Sequence, residues 1–270
     1  IRLSLVGSEM CIRDSGSGSR GNGTLVAIGG ALFLIDCGFN LKQTERRLAR
    51  LQVSAGDITA ILVSHEHSDH IAGVAALAHR YCLPVHASHG TLSRAPEGFS
   101  CQAFDGDVPF EIAGVTINPV CVPHDAREPT QFTLSYGDEK IGVLSDLGAV
   151  TEHVLSEFSN CTYLLLEANH DRAMLMQGNY PLALKRRVAA DYGHLSNEQA
   201  AQLLQRVAHP ELHVMIGHIS EQNNDPSKVL RAFDGLSDAV ASLGIANQAH
   251  GFDWVGERPI TRQISFDKVM

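Results

Sequence analysis

The sequence predicts an α+β protein in which two β-sheets are layered with helices. Short apolar runs typical of strands recur along the 270 residues, and segments with helical spacing separate many of them. No repeat of fixed period, low-complexity block or Pro/Ser-rich linker divides the chain. Apolar residues make up 44% of the sequence, which is enough to build a buried core. We therefore expect one domain over residues 1–270.

The first half of the chain predicts a hairpin followed by alternating helices and strands. The apolar runs 24–28 and 31–38 flank Gly29 and Gly30, as the two-residue turn of a β-hairpin requires. The pattern then predicts a helix over 41–51, a buried strand over 58–63, a helix over 71–81 and a strand over 84–88.

The second half continues the mixed pattern. It predicts strands over 115–122, 132–136, 140–144, 162–167 and 212–216, and helices over 181–192 and 197–208. Pro226 suits the first turn of another helix. Several of the predicted strands end at a polar residue, which is where functional side chains collect.

Residues 1–15 fit the pattern less well and have two interpretations. In the first they are partly non-native or poorly ordered, because their second half is polar and without periodicity. In the second, residues 1–6 form a first strand that is followed by an inserted loop. The functional hypotheses below depend on neither.

Charge and cysteine content exclude several classes of protein. A net charge of −9 argues against a protein that coats nucleic acid through bulk positive charge, although 185–187 and Arg172 form a local basic cluster. The six cysteines are scattered singly, which is neither a disulfide framework nor a cysteine zinc site. Without a run of about 20 apolar residues or a signal-peptide pattern, we expect a cytoplasmic protein that does not enter a membrane.

The strongest chemical signal is His65-x-His67-x-Asp69-His70 at the end of a predicted buried strand. Side chains two residues apart in an extended segment share a face, so His65 and His67 can bind one cation while Asp69 and His70 turn toward a second. A solvated polar loop is the plainer interpretation, but four potential ligands within six residues favour a metal site.

Three further candidate ligands follow predicted strands: His124, Asp146 and His218. Each residue alone would be assigned to hydrogen bonding at a strand end. Taken with the motif they complete two sites. One site contains His65, His67 and His124, the other contains Asp69, His70 and His218, and Asp146 bridges the two.

The motif and the separate strand-end His, Asp and His together resemble the metallo-β-lactamase superfamily. The segments 16–22, 167–171, 193–197 and 217–224 are similar to those of its YycJ/WalJ branch, and the branch in turn is similar to tRNase Z and PhnP-like phosphodiesterases. The resemblance covers the chain from about Gly16. Arg20 stands where the branch has a small serine, and residues 1–15 do not match.

The resemblance implies a four-layer αββα sandwich and a dinuclear-metal hydrolase that cleaves phosphodiester bonds, with DNA exonuclease activity expected. The implied ligands are His65, His67, Asp69, His70, His124, Asp146 and His218. Asp69 would also orient the attacking water, and His194 would protonate the leaving oxygen. Zinc suits the imidazole-rich ligands, with manganese and iron as alternatives.

Further residues are expected to bind substrate, here nucleic acid or a small phosphodiester: Ser19, Asn22, Asn169, His170 and Arg186. Their plainer interpretations are a turn, strand-end capping and a solvated helix face. Competing functions are a small-molecule or cyclic-nucleotide phosphodiesterase, and a thioesterase, lactonase or β-lactamase with the same metal centre. A non-catalytic metal-binding protein is the alternative from another class.

Overall fold

The computed structural model describes residues 11–16, 21–94, 100–246 and 255–256. Within these residues two seven-stranded sheets carry helices on their outer faces. In chain order the strands are β1 (Cys11–Gly16), β2 (Gly23–Ile28), β3 (Ala31–Ile35), β4 (Ala60–Val63), β5 (Val85–Ser88), β6 (Gln102–Phe104), β7 (Phe110–Ile112), β8 (Val115–Cys121), β9 (Thr130–Tyr136), β10 (Glu139–Leu144), β11 (Tyr163–Glu167), β12 (His213–Gly217), β13 (Ser242–Ile245) and β14 (Val255–Gly256).

Each sheet has an antiparallel part and a parallel part. The first has the order β14-β1-β2-β3-β4-β5-β6 and is parallel from β3 to β6. The second has the order β13-β12-β11-β10-β9-β8-β7 and is parallel from β10 to β13. The carboxyl ends of parallel strands meet at one edge of a sheet, which is where α/β proteins place their sites.

The described helices are short and pack outside the sheets. They are α1 (Leu41–Arg50), α2 (Ser68–Ile71), α3 (Val74–Tyr81), α4 (His89–Leu92), α5 (Glu152–Phe158), α6 (Arg172–Gln177), α7 (Leu182–Val188), α8 (Asn197–Val207) and α9 (Pro226–Ala232). In the part of the chain that the structure describes, no helix has both the length and the apolar character needed to cross a membrane.

The alternation of side chains along β3 shows how the layers form. Phe33 and Ile35 point into the apolar cluster between the two sheets, whereas Leu32 and Leu34 point into a second cluster beneath α1 and α3. A third cluster lies between the second sheet and the helices α5, α8 and α9. This αββα layering confirms the predicted class.

Truncating Phe33 is expected to destabilise the fold strongly. The ring is fully buried between the sheets, so Phe33→Ala should cost about 3–5 kcal/mol in free energy of unfolding, measured by urea denaturation. Val108→Ala is the control, because that side chain is 54% exposed and should change stability by less than about 0.5 kcal/mol. Equal midpoints for the two variants would contradict this packing.

Two predicted helices are shorter than the periodicity indicated. The helix expected over 71–81 begins only at Val74, because Gly73 N donates to the carbonyl of Cys37 at 2.7 Å and so interrupts the helical hydrogen bonds between α2 and α3. The helix expected over 181–192 ends at Val188, whose carbonyl accepts a hydrogen bond from His194 N at 2.9 Å. The chain turns back at this point and brings His194 toward the sheet edge.

The segment 11–16 also differs from expectation. Instead of a patternless stretch, it is a strand between β2 and β14, with an irregularity between Asp14 and Gly16. Backbone pairing with two neighbours explains how a polar sequence forms a strand without apolar alternation. Residues 1–10 lie outside the described residues.

Candidate metal centre and active site

Three imidazoles form the first group of the site. His65 and His67 follow β4, and His124 follows β8. His65 Nε2 lies 3.0 Å from His67 Nδ1, and His124 Nε2 lies 3.3 Å from the same atom. His65 Nδ1 lies 2.9 Å from Ser64 Oγ, and His124 Nδ1 lies 3.0 Å from the carbonyl oxygen of Gly193. These contacts orient the two rings so that their Nε2 atoms point toward His67.

Asp146 is the centre of the second group. Its Oδ2 lies 2.9 Å from His70 Nε2, and its Oδ1 lies 3.4 Å from His218 Nδ1. Asp69 is more peripheral, with Oδ2 3.7 Å from His70 Nε2. Asp146 therefore lies between the ligand sets, the position that the sequence predicts for a bridging ligand.

The atoms of both groups fit metal ions. Ligand nitrogens on a tetrahedral zinc at about 2.0–2.1 Å are separated by about 3.3 Å, close to the spacing of the three imidazoles. Asp146 Oδ2 is buried and accepts no well-aligned hydrogen bond from a described residue, although His70 Nε2 lies beside it. The ligand atoms of His65, His67 and His124 lie within 4.8 Å of one another, and Asp146 belongs to two further sets of the same compactness, one with His65 and His70 and one with Glu167, His194 and His218. Adjoining sets of this kind suit a dinuclear divalent metal centre.

The protonation states of His65, His124 and Asp146 agree with this interpretation. Burial lowers the pKa of His65 well below its ordinary value and also lowers the pKa of His124, so both imidazoles are neutral, the form that binds a metal. Burial opposes ionisation of Asp146, but the charges of His218 and His70 outweigh it and hold the pKa of Asp146 well below its ordinary value. Burial would lower the pKa of His70 and of His218, but the charge of Asp146 outweighs it and raises both, so a metal ion bound there would displace a proton from each imidazole.

Asp36 holds the motif in place from behind. This buried residue follows β3, and its carboxylate accepts hydrogen bonds from Ser64 N at 2.8 Å and Ser64 Oγ at 2.7 Å. His70 Nδ1 donates to Asp36 Oδ2 at 2.8 Å, which leaves Nε2 toward the site. Such carboxylate–imidazole pairs fix the tautomer of a ligand and raise its basicity.

Removing the charge of Asp36 is expected to weaken metal binding without touching a ligand. Asp36→Asn should lower zinc affinity about 10–100-fold, measured by competition with a chelator, because His70 loses its anionic partner. Asp107→Asn is the matched control, since Asp107 also lies 2.8 Å from a histidine, His153, but both side chains are 44% exposed. Unchanged affinity in Asp36→Asn would refute this role.

His194 and Glu167 form a pair beside the metal ligands. Glu167 ends β11, is fully buried, and accepts hydrogen bonds from Leu195 N at 2.8 Å and Leu147 N at 3.2 Å. His194 Nδ1 lies 3.2 Å from Glu167 Oε1 and 3.3 Å from Asp146 Oδ1. Because backbone donors saturate much of this carboxylate, Glu167 suits the orientation of His194 better than metal ligation.

Charge and burial keep this pair ionised. Burial would raise the pKa of Glu167, but the charges of His194 and His218 and their hydrogen bonds outweigh it and lower the pKa to about 2. Burial would lower the pKa of His194, but the charge of Glu167 and its hydrogen bond outweigh it and raise the pKa. The imidazole, 22% exposed, therefore holds a proton at the edge of the site.

Left-handed backbone conformations orient several side chains of the site. Asp36, Asp146 and His218 all adopt positive φ, between 51° and 61°, directly after or close to a strand end. This region is uncommon for residues other than glycine and clusters at functional sites. A Cβ on Gly38 would lie 1.7 Å from the carbonyl oxygen of Asp69, so only glycine allows this approach of the motif loop.

A cavity of about 400 Å³ opens onto the metal cluster. His67, Asp69, Asp146, His194 and His218 line it on the side of the ligands. Asp125, Asn169 and Arg187 also line it, and Arg187 Nε donates a hydrogen bond to Asp125 Oδ2. The candidate metal ligands, the protonated imidazole of His194 and the guanidinium of Arg187 therefore line the same cavity.

The residues predicted to bind substrate are placed differently from one another. Asn169 lines the cavity, with Nδ2 donating to the carbonyl of His218 at 3.2 Å. Asn22 is buried and donates to Asp69 Oδ2 at 3.2 Å, so it supports the motif instead of lining the cavity. His170 is buried and Arg186 is exposed, and neither lines the cavity. Ser19, like Arg20, lies outside the described residues.

Comparison with known families identifies the chain. The model of the beta-lactamase superfamily domain matches residues 32–219, which include every candidate metal ligand. The chain belongs to the beta-lactamase superfamily. Within the superfamily it is similar to exodeoxyribonuclease YycJ of Bacillus anthracis, at 33% identity over 215 residues that cover 77% of this chain and 81% of that protein. The predicted YycJ/WalJ-like membership is confirmed.

Two further comparisons extend the relationship. Exodeoxyribonuclease WalJ of Streptococcus pneumoniae is 31% identical over 224 residues, again covering 77% of this chain and 81% of that protein. The metallo-beta-lactamase fold protein YhfI of Bacillus subtilis superimposes with a TM-score of 0.70 over 93% of this chain and all of that chain, at 17% identity. The last comparison concerns the fold alone.

Proposed function

We propose that this metal-dependent hydrolase is an exodeoxyribonuclease, which removes nucleotides from a DNA end by phosphodiester hydrolysis. The relatives named exodeoxyribonuclease, at 31–33% identity over most of the chain, support a nuclease or phosphodiesterase. The observation that carries the proposal is the His194–Glu167 pair beside the metal ligands, in one cavity with Arg187. Departure of a sugar oxygen needs a proton, and a transferred phosphoryl group needs positive charge around it.

The metal-holding roles follow from the two groups. His65, His67 and His124 would hold one cation, and Asp69, His70 and His218 the other, with Asp146 between them. Two divalent cations would supply a lowered pKa for water and stabilisation of charge on the phosphate. Zinc suits the imidazole ligands, and manganese or iron remain alternatives for the carboxylate-containing side.

The side chains perform the remaining steps. Asn22 Nδ2 donates a hydrogen bond to Asp69 Oδ2. Asp69 Oδ1 is then the oxygen that accepts a hydrogen bond from the attacking water and orients it. His194 Nδ1 faces Glu167, so Nε2 is the nitrogen that protonates the leaving oxygen. Arg187 would contact a phosphate of the strand, and Asn169 would contact the sugar or phosphate at the cavity wall.

The proposed setting is the cytoplasm. DNA substrates are there, and Cys37, Cys82, Cys101, Cys121 and Cys161 are free thiols, as a reducing compartment allows. The chain carries a net charge of −9, so contacts to DNA are confined to the cavity and its rim. The footprint on a strand is therefore short.

A panel of substrates tests the reaction class. The zinc-loaded chain is given single- and double-stranded DNA, bis(p-nitrophenyl) phosphate, a cyclic nucleotide, a thioester, a lactone and a β-lactam, and kcat/KM is measured for each. The proposal predicts the highest value for DNA. Higher values for the cyclic nucleotide indicate a small-molecule phosphodiesterase, and higher values for an acyl substrate indicate a carbonyl hydrolase. Either result contradicts the proposal.

A further inference from the structure

The cavity has a second wall that the proposed hydrolysis does not use. Tyr180 lies between α6 and α7, and Leu184 and Val188 lie four residues apart on one face of α7. Ile219, directly after His218, also lines the cavity and packs into the apolar cluster beneath α8 and α9. The wall is apolar and aromatic, so it contributes neither metal ligands nor phosphate charge. An apolar surface that contains an aromatic side chain suits the binding of a flat aromatic ring.

One polar group is fixed at the edge of the wall. Ser220 Oγ accepts hydrogen bonds from Asn223 N at 3.2 Å and from Asn223 Nδ2 at 3.4 Å. Its own hydroxyl hydrogen has no acceptor among the residues that the structure describes, and Ser220 lines the cavity. The hydroxyl is therefore a donor for a ligand. Every nucleobase carries hydrogen-bond acceptor atoms, so this one hydroxyl donor can bond to any of the bases.

Size and side-chain chemistry indicate what the wall holds. At about 400 Å³ the cavity is in the range of small-ligand sites, with room for one nucleotide instead of a longer stretch of strand. Arg187 lies on α7 next to Val188 and lines the same cavity. Arg187 is paired with Asp125 on the same cavity, so the feature that suits nucleic acid here is the aromatic ring of Tyr180, because bases stack on aromatic side chains.

We propose that this wall binds the nucleobase of the terminal nucleotide, with the base stacked on the ring of Tyr180. The phosphodiester that joins this nucleotide to the next then lies at the metal cluster. The inference rests on the proposed exodeoxyribonuclease function and supplies a structural reason for cleavage at an end: the whole cavity, at about 400 Å³, has room for one nucleotide.

The test compares DNA strands that differ only in the terminal base. Single-stranded DNA carrying either a normal nucleotide or an abasic tetrahydrofuran residue at each end in turn is digested by the zinc-loaded chain. At the end from which digestion starts, the normal nucleotide should be removed about tenfold faster than the abasic residue. Tenfold corresponds to about 1.4 kcal/mol, within the range of stacking on one aromatic side chain.

Variants assign this discrimination to Tyr180. Tyr180→Ala should bring the ratio of the two rates close to one, and Tyr180→Phe should keep it near tenfold, because the ring is retained. Tyr192→Ala is the matched control, since Tyr192 is 63% exposed, does not line the cavity, and should keep the ratio. The ratio within one preparation does not depend on how much of a variant folds.

The outcomes separate the inference from the function. Shortening of DNA with no discrimination by the unmodified chain, or discrimination that survives in Tyr180→Ala, overturns the base-binding wall while the exonuclease function stands. Failure of the unmodified chain to shorten either strand overturns the function and the wall together.

Discussion

Replacing His67 with alanine is expected to abolish turnover while leaving the fold intact. His67 Nδ1 lies 3.0 Å from His65 Nε2 and 3.3 Å from His124 Nε2, so its loss opens one of the two metal sites. Metal ions contribute several kcal/mol of transition-state stabilisation, and a loss of about 4 kcal/mol lowers kcat about 10³-fold. DNA hydrolysis and bound zinc, measured on the same preparation, should fall together.

His67 is the better choice for this test than its neighbour. Its side chain is 29% exposed, whereas His65 is fully buried, so truncation at 67 leaves the packing largely unchanged. His89→Ala is the control, because His89 is 65% exposed, lies away from the candidate ligands and contacts Asp105 at 3.4 Å. Full activity with zinc missing from His67→Ala would contradict the assignment of the cluster as the catalytic centre.

Removing His194 is expected to produce the second large effect, and the effect should depend on the leaving group. A positioned general acid contributes about 10²–10⁴-fold, so His194→Ala should lower kcat on DNA by that amount. The p-nitrophenolate ion is a weak base and departs without a proton, so hydrolysis of bis(p-nitrophenyl) phosphate should fall at least about tenfold less. Steady-state kinetics on both substrates measure the difference.

The comparison of leaving groups separates proton donation from structural damage. A variant that merely disturbs the metal ligands loses activity on both substrates in the same proportion. Glu167→Gln should show the same preference for the nitrophenyl substrate, because His194 Nδ1 then lacks its anionic partner at 3.2 Å. Equal losses on both substrates in His194→Ala would rule out a proton donor at this position.

Most residues of the cluster could be predicted from the sequence because they are local in the chain or lie at strand ends. His65 and His67 share one motif, and the buried strand before it predicts where the motif lies. His124, Asp146 and His218 were located by the same rule, since apolar runs end where polar side chains can reach a common edge. The structure brings these residues together around Asp146.

The supporting residues were beyond the sequence because their roles depend on tertiary contacts. Asp36 is 34 residues from its partner His70, and nothing in the apolar run before it indicates the contact. Glu167 ends β11 in the same manner as a ligand, yet backbone donors from two other segments occupy its oxygens. Arg187 lines the cavity, whereas Arg186, the residue expected from the sequence, is exposed and does not line it.

Helical periodicity failed where backbone packing decides the geometry. The pattern over 181–192 is helical in spacing, but a Cβ on Gly193 would lie 2.3 Å from the carbonyl oxygens of Arg187 and Val188. Glycine there lets the chain turn back against α7 and deliver His194 to Glu167. Such close approaches have no signal in hydrophobic spacing, because they arise from contacts between segments.

A time course of DNA digestion shows whether the metal centre removes nucleotides from an end. Single-stranded DNA labelled at one end or the other is incubated with the zinc-loaded chain and with His67→Ala, and the products are resolved to one nucleotide. The account predicts that one label is released as a mononucleotide at the earliest times while the other strand shortens stepwise, with neither change in His67→Ala. Internal cuts at the earliest times, or digestion that persists in His67→Ala, would contradict it.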